Sequence, residues 1–248
     1  MMLAPKARQA IEQHACGCYP RESCGLIVSG EYIACHNIAD DPLRDFVINP
    51  LDYAVAEDLG QVEAVVHSHP EKSPLPSIAD VLACEAGRVH RWIIMTIHMR
   101  HGELTAGAWH EFGPPEDGTP LIGCEFAHGS TDCYGLVRRY YKAALQIDLP
   151  DFVRRHKWWA DGQSNLYIDK YAEAGFHDVS DSQYLQVGDV LLMRIASKVP
   201  NHAAVYIGDD EILHHMWGQL SRREALPRYR SRVTHILRHK AIIPDGTH

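Results

Sequence analysis

Two histidines separated by one serine, His67-Ser68-His69, follow an apolar run at residues 62–66. If that run is a strand, its two-residue alternation puts both imidazoles on one face. Ser77 comes after seven intervening residues and Asp80 three positions later, the spacing of a helix N-cap and its third helical residue. Such a cap turns Asp80 back toward the strand end. Two imidazoles and one carboxylate leave a fourth tetrahedral position for water, which is the arrangement of a catalytic zinc site. Zinc lowers the pKa of that water to about 7, and a base must then take its proton. Glu22, just ahead of the apolar stretch 25–28, is the best candidate.

A second set is built on sulfur. Cys133 opens a stretch with the length and spacing of a helix, with Asp132 or Thr131 as its N-cap. The partial positive charge of a helix start favours thiolate, and its free backbone N–H groups can hold an oxyanion. His202 opens the apolar run 203–207, and His214 lies twelve residues further, beyond a turn at Gly208-Asp209. A hairpin there makes the two imidazoles neighbours. His202 then serves as base to Cys133 while His214 orients it, the logic of acyl transfer through a thiol.

The elements that must position these residues read in two blocks. Upstream, helices are expected at 4–15, at 50–59 and from Ser77, and strands at 25–28, 32–34, 62–66, 92–97 and 104–109, with turns at Ser29-Gly30 and His101-Gly102. Gly113-Pro114-Pro115-Glu116-Asp117-Gly118 denies both helix and ladder pairing and marks a linker. Downstream, helices at 133–145 and 165–174 precede strands at 190–195, 203–207, 211–216 and 233–237. The expected class is α+β in two domains: an α/β domain at 1–112, the linker at 113–118 and an α+β domain at 119–248.

Charge separates the same halves. Residues 1–118 hold 8 Lys+Arg against 17 Asp+Glu, a net of −9, and residues 119–248 hold 16 against 15, a net of +1. Neither half offers the clustered cations that phosphate neutralisation requires, so no nucleic-acid partner is expected. The longest apolar runs, such as 92–95 and 190–193, fall far short of the roughly 18 residues of a membrane span. Seven scattered cysteines do not form an even disulfide framework, and the first residues lack a signal-peptide pattern, so a cytoplasmic chain with reduced thiols is expected. Cys16-Gly17-Cys18 has no second close cysteine pair with which to complete a structural zinc site.

Taken together, Glu22-x-x-Gly25-Leu26, His67-x-His69-Pro70 and Ser77-x-x-Asp80 resemble the JAMM metallopeptidase signature of the MPN domain family, over roughly residues 1–112. The resemblance implies that His67, His69 and Asp80 bind zinc, that Glu22 is general acid and base, and that Ser77 helps to stabilise a tetrahedral oxyanion. Asp132-Cys133-x-Gly135-Leu136-Val137, Asn201-His202-x-x-Val205-Tyr206-Ile207-Gly208 and Leu213-His214 resemble the NlpC family of papain-like cysteine peptidases, over roughly 119–240. That implies Cys133, His202 and His214 as the triad and peptidoglycan stem peptide as substrate, commonly cut beside γ-linked D-glutamate. Phe126 stands where many members carry Tyr, which removes one contact to substrate or oxyanion; His128 is a candidate replacement donor. The two domain types in one chain resemble tail tip proteins of lambda-like siphophages. This implies other tail tip proteins as partners, with the host cytoplasm during assembly and the virion tail tip as locations. Two functions follow: hydrolysis of amide bonds at both sites, or a structural tail assembly adaptor with idle sites.

Overall fold

The computed structural model describes residues 3–114, 118–182 and 184–242. The chain divides into two compact units, residues 1–113 and 114–248. Of the expected linker, Pro115, Glu116 and Asp117 lie outside the described residues. Both units mix helix and sheet, as the α+β assignment requires. Among the described residues no helix is long and apolar enough to cross a membrane.

Unit 1 contains α1 (Pro5–Cys18), β1 (Cys24–Val28), β2 (Glu31–Cys35), α2 (Pro50–Leu59), β3 (Val62–Pro70), α3 (Ile78–Ala86), β4 (Trp92–Arg100) and β5 (Glu103–Phe112). Its sheet runs β2-β1-β3-β4-β5, and every pair is antiparallel except β3 with β4. A parallel pair needs a crossover, and α3 supplies it. Ala7, Ile11 and Ala15, four residues apart on α1, pack against Ala64 and Val66 of β3 and Ile93, Met95 and Ile97 of β4. Pleat alternation sends Val65, His67 and His69 to the opposite face of the sheet. Left-handed turn residues close two hairpins, Ser29-Gly30 at φ 50° and 76° and His101-Gly102 at φ 52° and 86°, the pair of positive values that matches strand twist.

Unit 2 contains α4 (Cys133–Leu145), α5 (Leu166–Lys170), β6 (Phe176–Asp178), β7 (Val190–Met193), β8 (His202–Gly208), β9 (Glu211–His214), β10 (Arg222–Ala225) and β11 (Val233–His239). The sheet order is β10-β9-β8-β7-β11-β6, antiparallel throughout. α4 buries Leu136, Val137, Tyr140, Tyr141 and Ala144. Tyr141 anchors it by donating from its hydroxyl to the Gly188 carbonyl at 2.5 Å.

Several elements differ from the sequence reading. α1 runs on to Cys18, placing Cys16 and Cys18 in its last turn. β3 extends through Pro70, so both histidines lie within the strand rather than after it; β1 and β4 pair with it on either side and carry the ladder past the apolar run. The second helix of unit 2 is only Leu166–Lys170; residues 171–175 continue as turns that end at Gly175, which has φ 87°. β9 stops at His214. β6 and β10 were not anticipated, because neither Phe176-His177-Asp178 nor Arg222-Arg223-Glu224-Ala225 has apolar alternation.

Each unit has its own sheet and its own buried core, and independent folding follows as an expectation. Separate chains of 1–112 and 119–248 should each show a cooperative urea transition by circular dichroism. Non-cooperative melting of both would mean that the two halves share one folding unit.

Candidate functional site

In unit 1 the sheet face away from α1 brings the acidic and imidazole groups together. His67 Nε2 lies 3.1 Å from His69 Nε2, and Asp80 places one oxygen 3.5 Å from the first and the other 3.7 Å from the second. Glu22 also converges: it, His67 and His69 offer ligand atoms all within 4.8 Å of one another. Ser77 and Asp80 form a reciprocal capping box on α3, with Ser77 Oγ accepting from Asp80 N at 3.1 Å and Asp80 Oδ2 accepting from Ser77 N at 2.7 Å. The cap thus fixes the carboxylate beside the strand, and the Ser77 hydroxyl keeps its proton to donate.

The donor set suits a small divalent cation. Ligands about 2.0–2.1 Å from a tetrahedral zinc stand about 3.3 Å apart, and the three spacings bracket that value. His69 Nδ1 donates to the Ser73 carbonyl at 2.7 Å, which fixes the tautomer and leaves Nε2 a bare lone pair aimed at the cluster. His67 is stacked on Phe46, with ring centroids 4.4 Å apart. Glu22, His67, His69 and Asp80 are all buried. Burial pushes the Asp80 pKa up, but the His67 charge and hydrogen bonds to both imidazoles outweigh it and hold the group well below the carboxylate range. Burial lowers His69, yet Asp80 and Glu22 raise it above the ordinary imidazole value. For Glu22 burial wins, and its pKa rises despite His69 and Lys72. Lys72 donates to Glu22 Oε1 at 2.7 Å; nothing in its sequence neighbourhood distinguished it.

In unit 2 Cys133 is the first residue of α4, and Asp132 is its N-cap. Asp132 accepts from Gly135 N at 2.9 Å, from Gly129 N at 2.8 Å and from Arg154 Nε at 2.7 Å. Arg154 is itself buried and also donates to Asp151, Phe152 O and Gly129 O. Gly135 has no room for a side chain, since a Cβ there would meet the Ser130 carbonyl oxygen at 1.7 Å.

The antiparallel register of β8 and β9 sets His202 beside His214, with Nε2 of the first 3.2 Å from Nδ1 of the second. His214 Nε2 then lies 2.8 Å from Glu224 Oε2 on β10, and the same carboxylate accepts from Tyr229 and Arg222. Cys133 and His202 line one cleft. The Cys133 Sγ is hydrogen-bonded to the Tyr167 hydroxyl at 3.2 Å. Sequence reasoning did not find Glu224, Tyr167 or Arg154, because each reaches the site from an element whose pairing no local pattern announced.

The electrostatics of the thiol reverse the expectation drawn from the helix start. Burial, with the Asp132 charge, pushes the Cys133 pKa up to about 11, so the dipole of α4 does not produce a resting thiolate. Burial, with His214 and His215, pushes His202 down to about 3. His214 is lowered by burial against the pull of Glu224. Thiol and imidazole are both neutral at rest.

Residues 4–110 match the prokaryotic homologs of the JAB domain, and residues 123–238 match the NlpC/P60 family. Tail tip assembly protein K of Escherichia phage N15 is 33% identical over 243 residues, covering 96% of both chains. The protein of that name from Escherichia phage lambda is 41% identical over 195 residues, 78% of this chain and 90% of its own. The chain belongs to the tail tip assembly protein K family. NlpC1 from Trichomonas vaginalis, at 20% identity, covers 48% of this chain and 40% of its own with a TM-score of 0.33, a likeness too slight to bear on function. In this member of the protein K family the JAB-like half carries the His67, His69, Asp80 and Glu22 cluster, and the NlpC/P60 half carries Cys133 with the imidazole pair.

The two shifted groups of the cleft each contribute to a pH window, alongside the raised thiols of Cys24, Cys35 and Cys84 in unit 1. Folding opposes protonation of His202, whose pKa falls from 6.5 to about 3, so stability declines as pH falls through that interval. Folding opposes ionisation of Cys133, whose pKa rises from 9.0 to about 11, so stability declines as pH rises across that range. Urea midpoints of the full chain should plateau between these limbs, and Cys133→Ala should make the alkaline one shallower without abolishing it, since Cys24, Cys35 and Cys84 share it. An alkaline limb unchanged in that variant would show that the folded thiol is not held protonated.

Proposed function

We propose that the chain is a tail tip assembly protein with two amide-bond hydrolase sites, one a zinc metallopeptidase and the other a Cys-His-His peptidoglycan endopeptidase. The observation that carries this reading is the line Glu224, His214, His202 ending in the cleft that holds Cys133. A carboxylate accepts only, so His214 donates from Nε2 and keeps Nδ1 bare; His202 therefore donates from Nε2, and its Nδ1 holds the lone pair. The Cys133 proton passes to that nitrogen as sulfur attacks the scissile carbonyl. The backbone N–H groups at the start of α4 receive the oxyanion. His202 returns the proton to the leaving amine, and water releases the acyl group from sulfur. Glu224 stabilises the transient imidazolium through His214, which offsets the burial that keeps the resting pair neutral.

In unit 1, zinc held by His67, His69 and Asp80 would supply Lewis acidity toward an amide carbonyl and water. Glu22, with its raised pKa and one oxygen held by Lys72, takes and returns the proton. The Ser77 hydroxyl donates to the oxyanion. The substrates are peptidoglycan stem peptide for the thiol site and tail protein or wall peptide for the other. Other tail tip proteins are the partners, in the host cytoplasm during assembly and at the virion tail tip. The adaptor reading, with idle sites, leaves unexplained why a buried imidazole pair is closed by a carboxylate on a third strand.

Mass spectrometry of muropeptides after incubation with the full chain tests the assignment. Cleavage should survive chelation and disappear in Cys133→Ala and His202→Ala; the opposite pattern would place wall cleavage in unit 1. Glu224→Gln should lower kcat by roughly tenfold or more with KM little changed, because an amide there can hold His214 in the wrong tautomer, and an unaltered kcat would remove Glu224 from the line. Elemental analysis should find one zinc per chain, lost in His67→Ala and Asp80→Ala and retained in Glu22→Gln. Retention in all three would move the metal elsewhere.

A further inference from the structure

The cleft that holds Cys133 has an aromatic rim that the chemistry above does not use. Trp217 is 52% exposed. Phe126 stacks against it, with centroids 5.9 Å apart and planes 23° apart. His156 meets its ring at 5.2 Å. Trp217, Trp159 and His128 form a triangle with sides of 6.4, 6.2 and 6.4 Å. An exposed tryptophan backed by another ring beside a nucleophile is a preset flat surface, because its neighbours have already ordered it and half of it remains open.

The polar lining of the cleft offers no uncompensated charge among the described residues. Arg154 is spent on Asp132, Asp151 and two carbonyl oxygens. Asn201 is closed on the backbone of Ile195 in both directions. His128 Nε2, in contrast, is buried without a hydrogen-bond partner. The cleft has a cavity volume of only about 70 Å³, room for a few water molecules. A large apolar side chain inserted end-on needs more room than that. A ring laid flat on the rim does not.

Resting on the proposed thiol peptidase, we infer that this rim is a saccharide subsite, which holds an N-acetylhexosamine ring of the glycan to which the scissile peptide is attached. The negative face of an indole attracts the polarised C–H bonds of a pyranose face. The ring's hydroxyl and acetamido edge can supply the partner that His128 Nε2 lacks. An uncharged rim suits a neutral sugar and gives no grip on the carboxylates of a stem peptide. Trp217 is then a specificity residue placed beside Cys133, His202 and His214 but outside their proton transfers.

The test uses the full chain. Tri-N-acetylglucosamine titrated into Cys133→Ala should change tryptophan fluorescence saturably, and adding Trp217→Ala should weaken binding at least tenfold while Trp217→Phe restores part of it. With the thiol intact, kcat/KM for a disaccharide-linked stem peptide should exceed that for the same peptide without sugar by tenfold or more. Trp217→Ala should bring this ratio close to one and leave the sugar-free rate unchanged. Equal rates on both substrates, lost in Cys133→Ala, would keep the peptidase and overturn the subsite. Sugar binding that needs Trp217, with neither substrate cleaved, would keep the subsite and overturn the peptidase. A Trp217→Ala loss confined to sugar-free peptides with apolar side chains would assign the rim to protein substrates and overturn the saccharide assignment.

Discussion

The first backbone N–H groups of an α-helix have no acceptor within the helix, and in both units a carboxylate that satisfies them also builds the site. Asp80 closes the capping box of α3 with one oxygen while both of its oxygens face the imidazoles of β3. Asp132 caps α4 from one oxygen and binds Gly129 N and Arg154 from the other. Capping by a side chain contributes about 0.5–2 kcal/mol. The larger consequence is positional, since each carboxylate is held by backbone and can hold its neighbours in turn. Loss of Arg154 would leave Asp132 buried without its cation, a kind of change that costs about 3–5 kcal/mol.

Burial is the second constraint, and it acts on the two sites in opposite ways. In unit 1 opposite charges accumulate: the imidazoles pull Asp80 down, and the carboxylates lift His69. A metal ion bound there would displace the proton that Asp80 and Glu22 favour on His69. In unit 2 the reacting pair is neutral, with Cys133 raised and His202 lowered, and the compensating charge is kept beyond the His214 ring on Glu224. A neutral pair avoids the cost of a buried charge at rest. Charge appears there only when the proton moves, and the line to Glu224 is already in place to receive it.

Much of this was legible in the residues. The Ser77 and Asp80 spacing specified a capping box, the turn residues specified three hairpins, and the apolar spacing of α4 specified its buried face, because each is a local rule with a period or a cap as its signature. Domain type was legible from short motifs for the same reason: Gly135 is required by the Ser130 carbonyl one turn back, and His67-x-His69 by strand alternation.

The rest required the folded chain. β10 carries two arginines and a glutamate in four residues and has no apolar alternation, so nothing local marks it as a strand; only pairing with β9 sets Glu224 against His214. Tyr167 and Arg154 reach the thiol and its cap from a short helix and an irregular segment, distant in sequence. The ionisation of Cys133 turned on the same point. The sequence by itself determined that a cysteine begins a helix, which favours thiolate, along with the residue types of both sites. Tertiary structure alone decided how deeply that cysteine is buried, and burial beside the Asp132 carboxylate raises its thiol above the ordinary value.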